Sequence, residues 1–141
     1  GETPDFDVVG EDAQKILTDQ KLALEEQWQD ANLQFGFNIV TAQEPAANTS
    51  VTQGTRVKIK VNPPLNALIK PVSFLVPGTG DIPVEVTVVV QDVRGHVVVY
   101  KQFHKPGTIV QKVPVIWAGD RATYKIFVNG VAQPGLEGKL P

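Results

Sequence analysis

The sequence predicts two small domains in series: an α+β unit, with one helix packed on a short antiparallel sheet, followed by an all-β sandwich. Three observations carry this. Charge divides unevenly along the 141 residues: residues 1–63 hold ten acids and five bases, whereas residues 64–141 hold five acids and eight bases. Valine divides the same way, with 6 before position 64 and 16 after it. Between the halves stands Val61-Asn62-Pro63-Pro64-Leu65, whose paired prolines fix their own φ and bias the preceding residue away from helix. The expected organisation is a domain over residues 1–62, a proline linker over 63–66 and a second domain over 67–141.

The helix is expected within Asp12 to Leu24. Ala13, Ile16 and Leu17, joined by Leu22 or Leu24, fall three and four apart on one face. Glu11 and Asp12 favour its positive end, so Gly10 or Glu11 marks the start. Leu22 to Trp28 reads as a first strand and Phe37 to Gln43 as a second. Arg56 to Val61 is the cleanest, since Val57, Ile59 and Val61 alternate with Arg56, Lys58 and Lys60. In the second half, Ile82 to Gln91 sets Val84, Val86, Val88 and Val90 on one face. Asp92-Val93-Arg94-Gly95 turns the chain, and His96 to Phe103 returns as the other arm of a hairpin. Thr108 to Val115 and Ala122 to Val128 follow, with edge strands near Val72 to Val76 and Val131. Asn129-Gly130 is a turn, because both residues tolerate positive φ. Several short strands at regular spacing without a helix read as an antiparallel sandwich.

Composition excludes several classes. The chain has no cysteine, which removes disulfide scaffolds, thiol catalysis and zinc ribbons. A net charge of −2 is not that of a basic nucleic-acid binder. No apolar run approaches the roughly 20 residues that span a bilayer. Catalytic sets are poor too: the serines are Ser50 and Ser73, neither in a G-x-S-x-G elbow, and His96 and His104 lie at opposite ends of one expected strand. Gly78-Thr79-Gly80 lacks the lysine of a phosphate loop. No catalytic centre and no metal site is expected.

Residues 40–57 run V-T-A-Q-E-P-A-A-N-T-S-V-T-Q-G-T-R-V, which resembles the second half of a PASTA domain, V-x-x-Q-x-P-x-x-G-x-x-V-x-x-G-x-x-V. Ala13, Leu17, Lys21 and Leu22 follow the family's A-x-x-x-L-x-x-x-G-L, and Pro4-Asp5-Phe6 resembles its opening. The likeness spans residues 3–62. Asn48 and Lys21 stand where the family has glycine, and the spacing from Pro4 to Ala13 is one residue short. The strand and turn pattern from Val84 to Asn129-Gly130 is similar to the Ig-like β-sandwich that follows the last repeat in some Gram-positive kinases. The resemblance implies the extracellular end of a bacterial transmembrane serine/threonine kinase, anchored through an upstream span. It implies no cofactor, and a partner in peptidoglycan or muropeptides. A spacer or self-associating module without a ligand, and the PASTA portion of a penicillin-binding protein, are the alternatives.

Candidate ligand-binding residues sit in the first half. Arg56, Lys58 and Lys60 form a ladder of cations roughly 7 Å apart on one strand face, suited to several carboxylates at once. The competing role is that of solubilising charges guarding a sheet edge. Trp28 can stack on a sugar ring or cover the small core. Gln43 and Glu44, before Pro45, can hydrogen-bond a peptide or line a loop. In the second half Trp117 is expected to be buried, and Tyr100 and Tyr124 to point inward or line the rim.

Overall fold

The computed structural model describes residues 2–3, 16–30, 40–63 and 66–140. The chain divides into two compact units, Gly1–Asn66 and Ala67–Pro141. Among the described residues both are built mostly from strands, with one short helix, and no helix is long and apolar enough to cross a membrane.

In the first unit the helix occupies 16–19. Its expected start at Gly10 or Glu11 lies outside the described residues. The expected continuation to Leu24 is corrected by the structure, and the reason is local. Lys21 takes a left-handed backbone with φ 57. The Lys21 amide donates to the Thr18 carbonyl at 3.0 Å, and the Leu22 amide donates to the Leu17 carbonyl at 2.8 Å. That pair of bonds is a Schellman ending, commonly accompanied by an apolar contact between the residues flanking it. Leu17 and Leu22 hold those positions and are both buried.

Beyond this cap the chain enters β1 (Ala23–Gln29), and β2 (Val40–Glu44) and β3 (Arg56–Val61) complete the sheet. The strand expected from Phe37 is seen from Val40, its first three residues lying outside the described ones. The expectation of an antiparallel sheet is also corrected. β2 pairs antiparallel with the central β3, but β1 pairs parallel with it. The Lys21 carbonyl accepts from the Gly54 amide at 2.8 Å and the Ala23 amide donates to the Thr55 carbonyl at 3.1 Å. The turn before β3 is thereby fastened to the cap before β1, so the two strands start side by side and run the same way. Opposite, Thr3 exchanges backbone hydrogen bonds with Asn48 and Thr49, and its hydroxyl donates to the Ala46 carbonyl. Asn48 there has φ 62, a geometry that Asn tolerates better than other side-chain-bearing residues.

The second unit contains β4 (Leu68–Leu75), β5 (Val84–Asp92), β6 (Gly95–His104), β7 (Ile109–Trp117), β8 (Thr123–Val128), and the short β9 (Val131–Ala132) and β10 (Gly138–Lys139). β5 pairs antiparallel with β6 on one side and β8 on the other, β8 continues to β9 and β10, and β4 pairs with β7 in a separate sheet. Val86, Val88 and Val90 of β5 are all at 0% exposure and share a core with Val72, Phe74, Val110, Val113, Val115, Trp117 and Ile126. The period-2 alternation of β5 is what aims its valines at the β4–β7 pair. In that pair Pro71 stands opposite Pro114. A proline has no N–H to give, so each is tolerated where its nitrogen faces away from the partner strand, and each deprives the outer edge of a donor.

The β5–β6 hairpin carries a feature that its turn sequence does not announce. Arg94 is 4% exposed, and its Nη2 meets Asp92 Oδ2 at 2.8 Å with both side chains buried. Asp92 also accepts from the backbone amides of Arg94 at 2.8 Å and Ala118 at 3.0 Å, while Arg94 Nη2 donates to the Ile116 carbonyl at 3.0 Å. A buried ion pair is tolerable only when the remaining hydrogen-bonding positions are filled in this way.

Two outcomes follow from these contacts. Lys21→Gly relieves the left-handed strain and is expected to stabilise the first unit by about 0.5–1 kcal/mol. Hydrogen exchange should then show roughly two- to fivefold greater protection of β3 amides. Asp92→Ala strands a buried guanidinium and is expected to cost about 3–5 kcal/mol by urea unfolding. Arg94→Met should cost clearly less, because the carboxylate keeps two backbone donors.

Candidate functional site

The strand β3 reads R-V-K-I-K-V, and its alternation decides which side chains face water. Val57, Ile59 and Val61 are at 0%, 1% and 0% exposure, whereas Arg56 and Lys60 are exposed and Lys58 half-buried on the other face. The register with the flanking strands then fixes two rows across that face. Lys58 stands between Glu26 of β1 and Glu44 of β2; Lys60 stands between Trp28 and Ala42. Side chains directly opposed in a sheet lie about 4.5–5.5 Å apart at Cβ, near enough to act together.

These rows open onto a groove of about 450 Å³ lined by Trp28, Ala42, Gln43, Glu44, Lys58, Ile59 and Lys60. Five of the six residues singled out from the sequence thus come together on three strands. Arg56 does not: it pairs with Ala23 and lies outside the lining, beyond Lys58. Gln43 lines the groove but is in register with Ile59 rather than with a lysine, and its Nε2 donates to the Pro45 carbonyl at 3.2 Å. Trp28 is half-buried and its Nε1 donates to Glu26 Oε2 at 2.8 Å. The indole therefore stands against the groove with its polar edge held along its own strand, and its faces are left for packing.

Glu26 was not singled out from the sequence, where the Glu25-Glu26 pair reads as solvated charge. The usable signal is its spacing of two from Trp28, which puts both on one strand face. Its position opposite Lys58 needs the parallel register, which no local pattern gives.

The groove can hold a carboxylate through lysine ammonium groups and a flat apolar ring through the indole. In the second unit Ser73 Oγ accepts from the Lys112 amide at 2.9 Å, and His96 and His104 stay at opposite ends of β6. His104 Nε2 meets the Tyr100 hydroxyl at 2.5 Å, with the two rings stacked at 6.0 Å and 3°. No group of three or more His, Cys, Asp or Glu among the described residues can hold a metal ion. Trp117 is 3% exposed, a core residue as expected, and Tyr100 and Tyr124 pack against the same core.

Residues 9–63 match the PASTA domain family. Both positions where its sequence lacks the family's glycine, Lys21 and Asn48, have the positive φ that glycine favours. The whole chain is similar to the solved structure of the extracellular region of the Ser/Thr kinase PrkC from Staphylococcus aureus. That likeness has 17% identity and a TM-score of 0.40, and covers 100% of this chain and 52% of that one. The chain thus spans about half the length of that protein's region. No curated protein matches it.

Burial raises the Tyr100 pKa above the ordinary phenol value of 10.0. The unfolded chain therefore ionises this phenol first. Stability from Tyr100 is fully present below pH 10 and falls as pH rises from there through the folded value. The urea midpoint should decline across that window, and Tyr100→Phe should decline less steeply.

Proposed function

We propose that the groove of the first unit binds muropeptides, and that the chain is an extracellular module of a membrane serine/threonine kinase. The observation that carries this reading is the convergence of Trp28, Lys58 and Lys60 on one groove of the PASTA domain. Peptidoglycan fragments join sugar rings to peptides rich in carboxylates. The indole face suits the former and the ammonium groups suit the latter. In such a protein the module would report cell-wall material to a kinase on the far side of the membrane and hold the ectodomain in the wall. The PASTA domain and the strand pattern that follows it support a kinase parent.

The same reading takes the first unit as a helix-on-sheet α+β domain, supported by the complete burial of Leu17. It takes the second unit as an Ig-like sandwich, supported by two sheets that share one core. The residues that line the groove all belong to the first unit.

The direct test is titration of the chain with a soluble disaccharide-peptide, followed by amide resonances and calorimetry. Shifts should gather on β1, β2 and β3. Lys60→Ala should weaken binding about two- to fivefold, the worth of one solvent-exposed charge pair. Raising the salt should weaken the wild type as well, since the lysines act through water. The absence of both heat and shifts at millimolar ligand would overturn the proposal.

A further inference from the structure

The two strands that flank β5 in the second unit carry the same short motif. Tyr100-Lys101-Gln102-Phe103 lies on β6 and Tyr124-Lys125-Ile126-Phe127 on β8. Alternation treats both alike: each tyrosine packs against the core, which turns the lysine and phenylalanine of each motif to the outer face of the sheet. Both strands run antiparallel to β5, so the two motifs point the same way. They are not level. Thr87 of β5 stands opposite Lys101 on one side and Phe127 on the other, so the second motif is set back by one row.

The outer face therefore shows ring, cation, ring, cation in a diagonal step. Phe103 is 66% exposed and Phe127 half-buried; Lys125 is exposed and Lys101 half-buried. Rows two residues apart lie roughly 7 Å from each other and strands two apart about 10 Å, which sets the two rings about 12 Å apart. Lys139 of β10 stands opposite Thr123 and adds a third ammonium to the same face. Glu85, opposite Phe103, is the one carboxylate in these rows. A single outward phenylalanine needs no explanation, but two in one repeated pattern beside lysines mark an interaction surface.

We infer that this face binds an anionic glycan, whose sugar rings lie on Phe103 and Phe127 while its carboxylate or phosphate groups meet Lys101 and Lys125. The flat apolar face of each ring suits the C–H side of a sugar. An ammonium acts as a point charge and suits either anion. Three lysines against one glutamate favour a polyanion and oppose a second copy of the chain, whose own lysines would face these. The step between the motifs matters as well. A polymer presents rings and anions at fixed intervals, so two motifs in register with it hold two successive repeats, and weak contacts reinforce each other. This surface belongs to the second unit alone and does not depend on the muropeptide reading of the groove.

The experiment uses the full chain and three soluble oligosaccharides of equal length: an uncharged N-acetylglucosamine oligomer, a galacturonate oligomer bearing carboxylates, and a hexosamine oligomer joined by phosphodiesters. Amide shifts on β5, β6 and β8 give a Kd for each. At least one anionic oligomer is expected to bind about four- to tenfold more tightly than the neutral one, as two exposed charge pairs allow, and the tighter of the two identifies the anion. Phe103→Ala should weaken that binding about three- to tenfold and Lys125→Gln about two- to fivefold. Both positions are exposed, so the urea midpoint should stay near that of the wild type. No shift on these strands from any oligomer at millimolar concentration overturns the inference, and so does equal affinity for neutral and anionic oligomers. A loss in Lys125→Gln with none in Phe103→Ala overturns it too, since charge alone then carries the binding. Self-association of the chain that Phe103→Ala abolishes assigns the face to a second copy and overturns it. Shifts confined to β1, β2 and β3 overturn it while leaving the muropeptide reading standing.

Discussion

Each unit depends on one strand that faces two environments at once. β3 in the first unit and β5 in the second are both flanked by a strand on either side, and in both the most deeply buried side chains fall at every second position. Val57, Ile59 and Val61 in one, and Val86, Val88 and Val90 in the other, are removed from water almost completely. A slip of one residue would turn every side chain to the opposite face. In β3 that would bury Arg56, Lys58 and Lys60 without partners, at several kcal/mol for each charge. A slip by one residue is therefore closed to this strand. The polar rows on its outer face, and the groove they border, follow from a constraint imposed by the core.

Fixing β3 does not fix its neighbours, and the left-handed cap at Lys21 accomplishes that. By closing the helix at 19 it frees Leu22 to be buried and releases the chain into β1 two residues later. Its carbonyl and the Ala23 amide hold the Gly54-Thr55 turn, so β1 and β3 depart from one point in the same direction. The placing of Trp28 beside Lys60 is thus decided about seven residues earlier, at a backbone geometry and not at a side-chain contact. A lysine in this position accepts strain that glycine would avoid. Nothing else in the described structure explains its presence there.

Much of this was legible in the sequence wherever the determinant was local. The alternation of β3 and β5, the Asp92–Gly95 hairpin and the Asn129-Gly130 turn all rest on residues within reach of each other along the chain. Asn129 and Gly130 have φ 48 and 80, as such a turn requires. The aggregation of Trp28, Glu44, Lys58 and Lys60 was legible only in part: the residues stood out by type, but their meeting depends on pairing across three strands. The parallel run of β1 was not legible, because apolar periodicity is the same for either direction. Neither was the burial of Arg94. Asp-x-x-Gly reads as an exposed turn, and only the third dimension brings the Ile116 carbonyl and the Ala118 amide over it to fill the remaining hydrogen-bonding positions.

The open form of the groove bears on what such a site can achieve. Lys60 and Glu44 are exposed, so water and salt screen each contact, and exposed charge pairs are worth at most about 1 kcal/mol apiece. A site built from a few of these and one half-buried indole binds weakly, whatever its ligand. It can still discriminate, because discrimination depends on the difference between ligands and not on the sum of contacts. For a polymeric ligand such as the cell wall, on the reading proposed above, weak contacts suffice, since neighbouring repeats of the polymer keep the local concentration high.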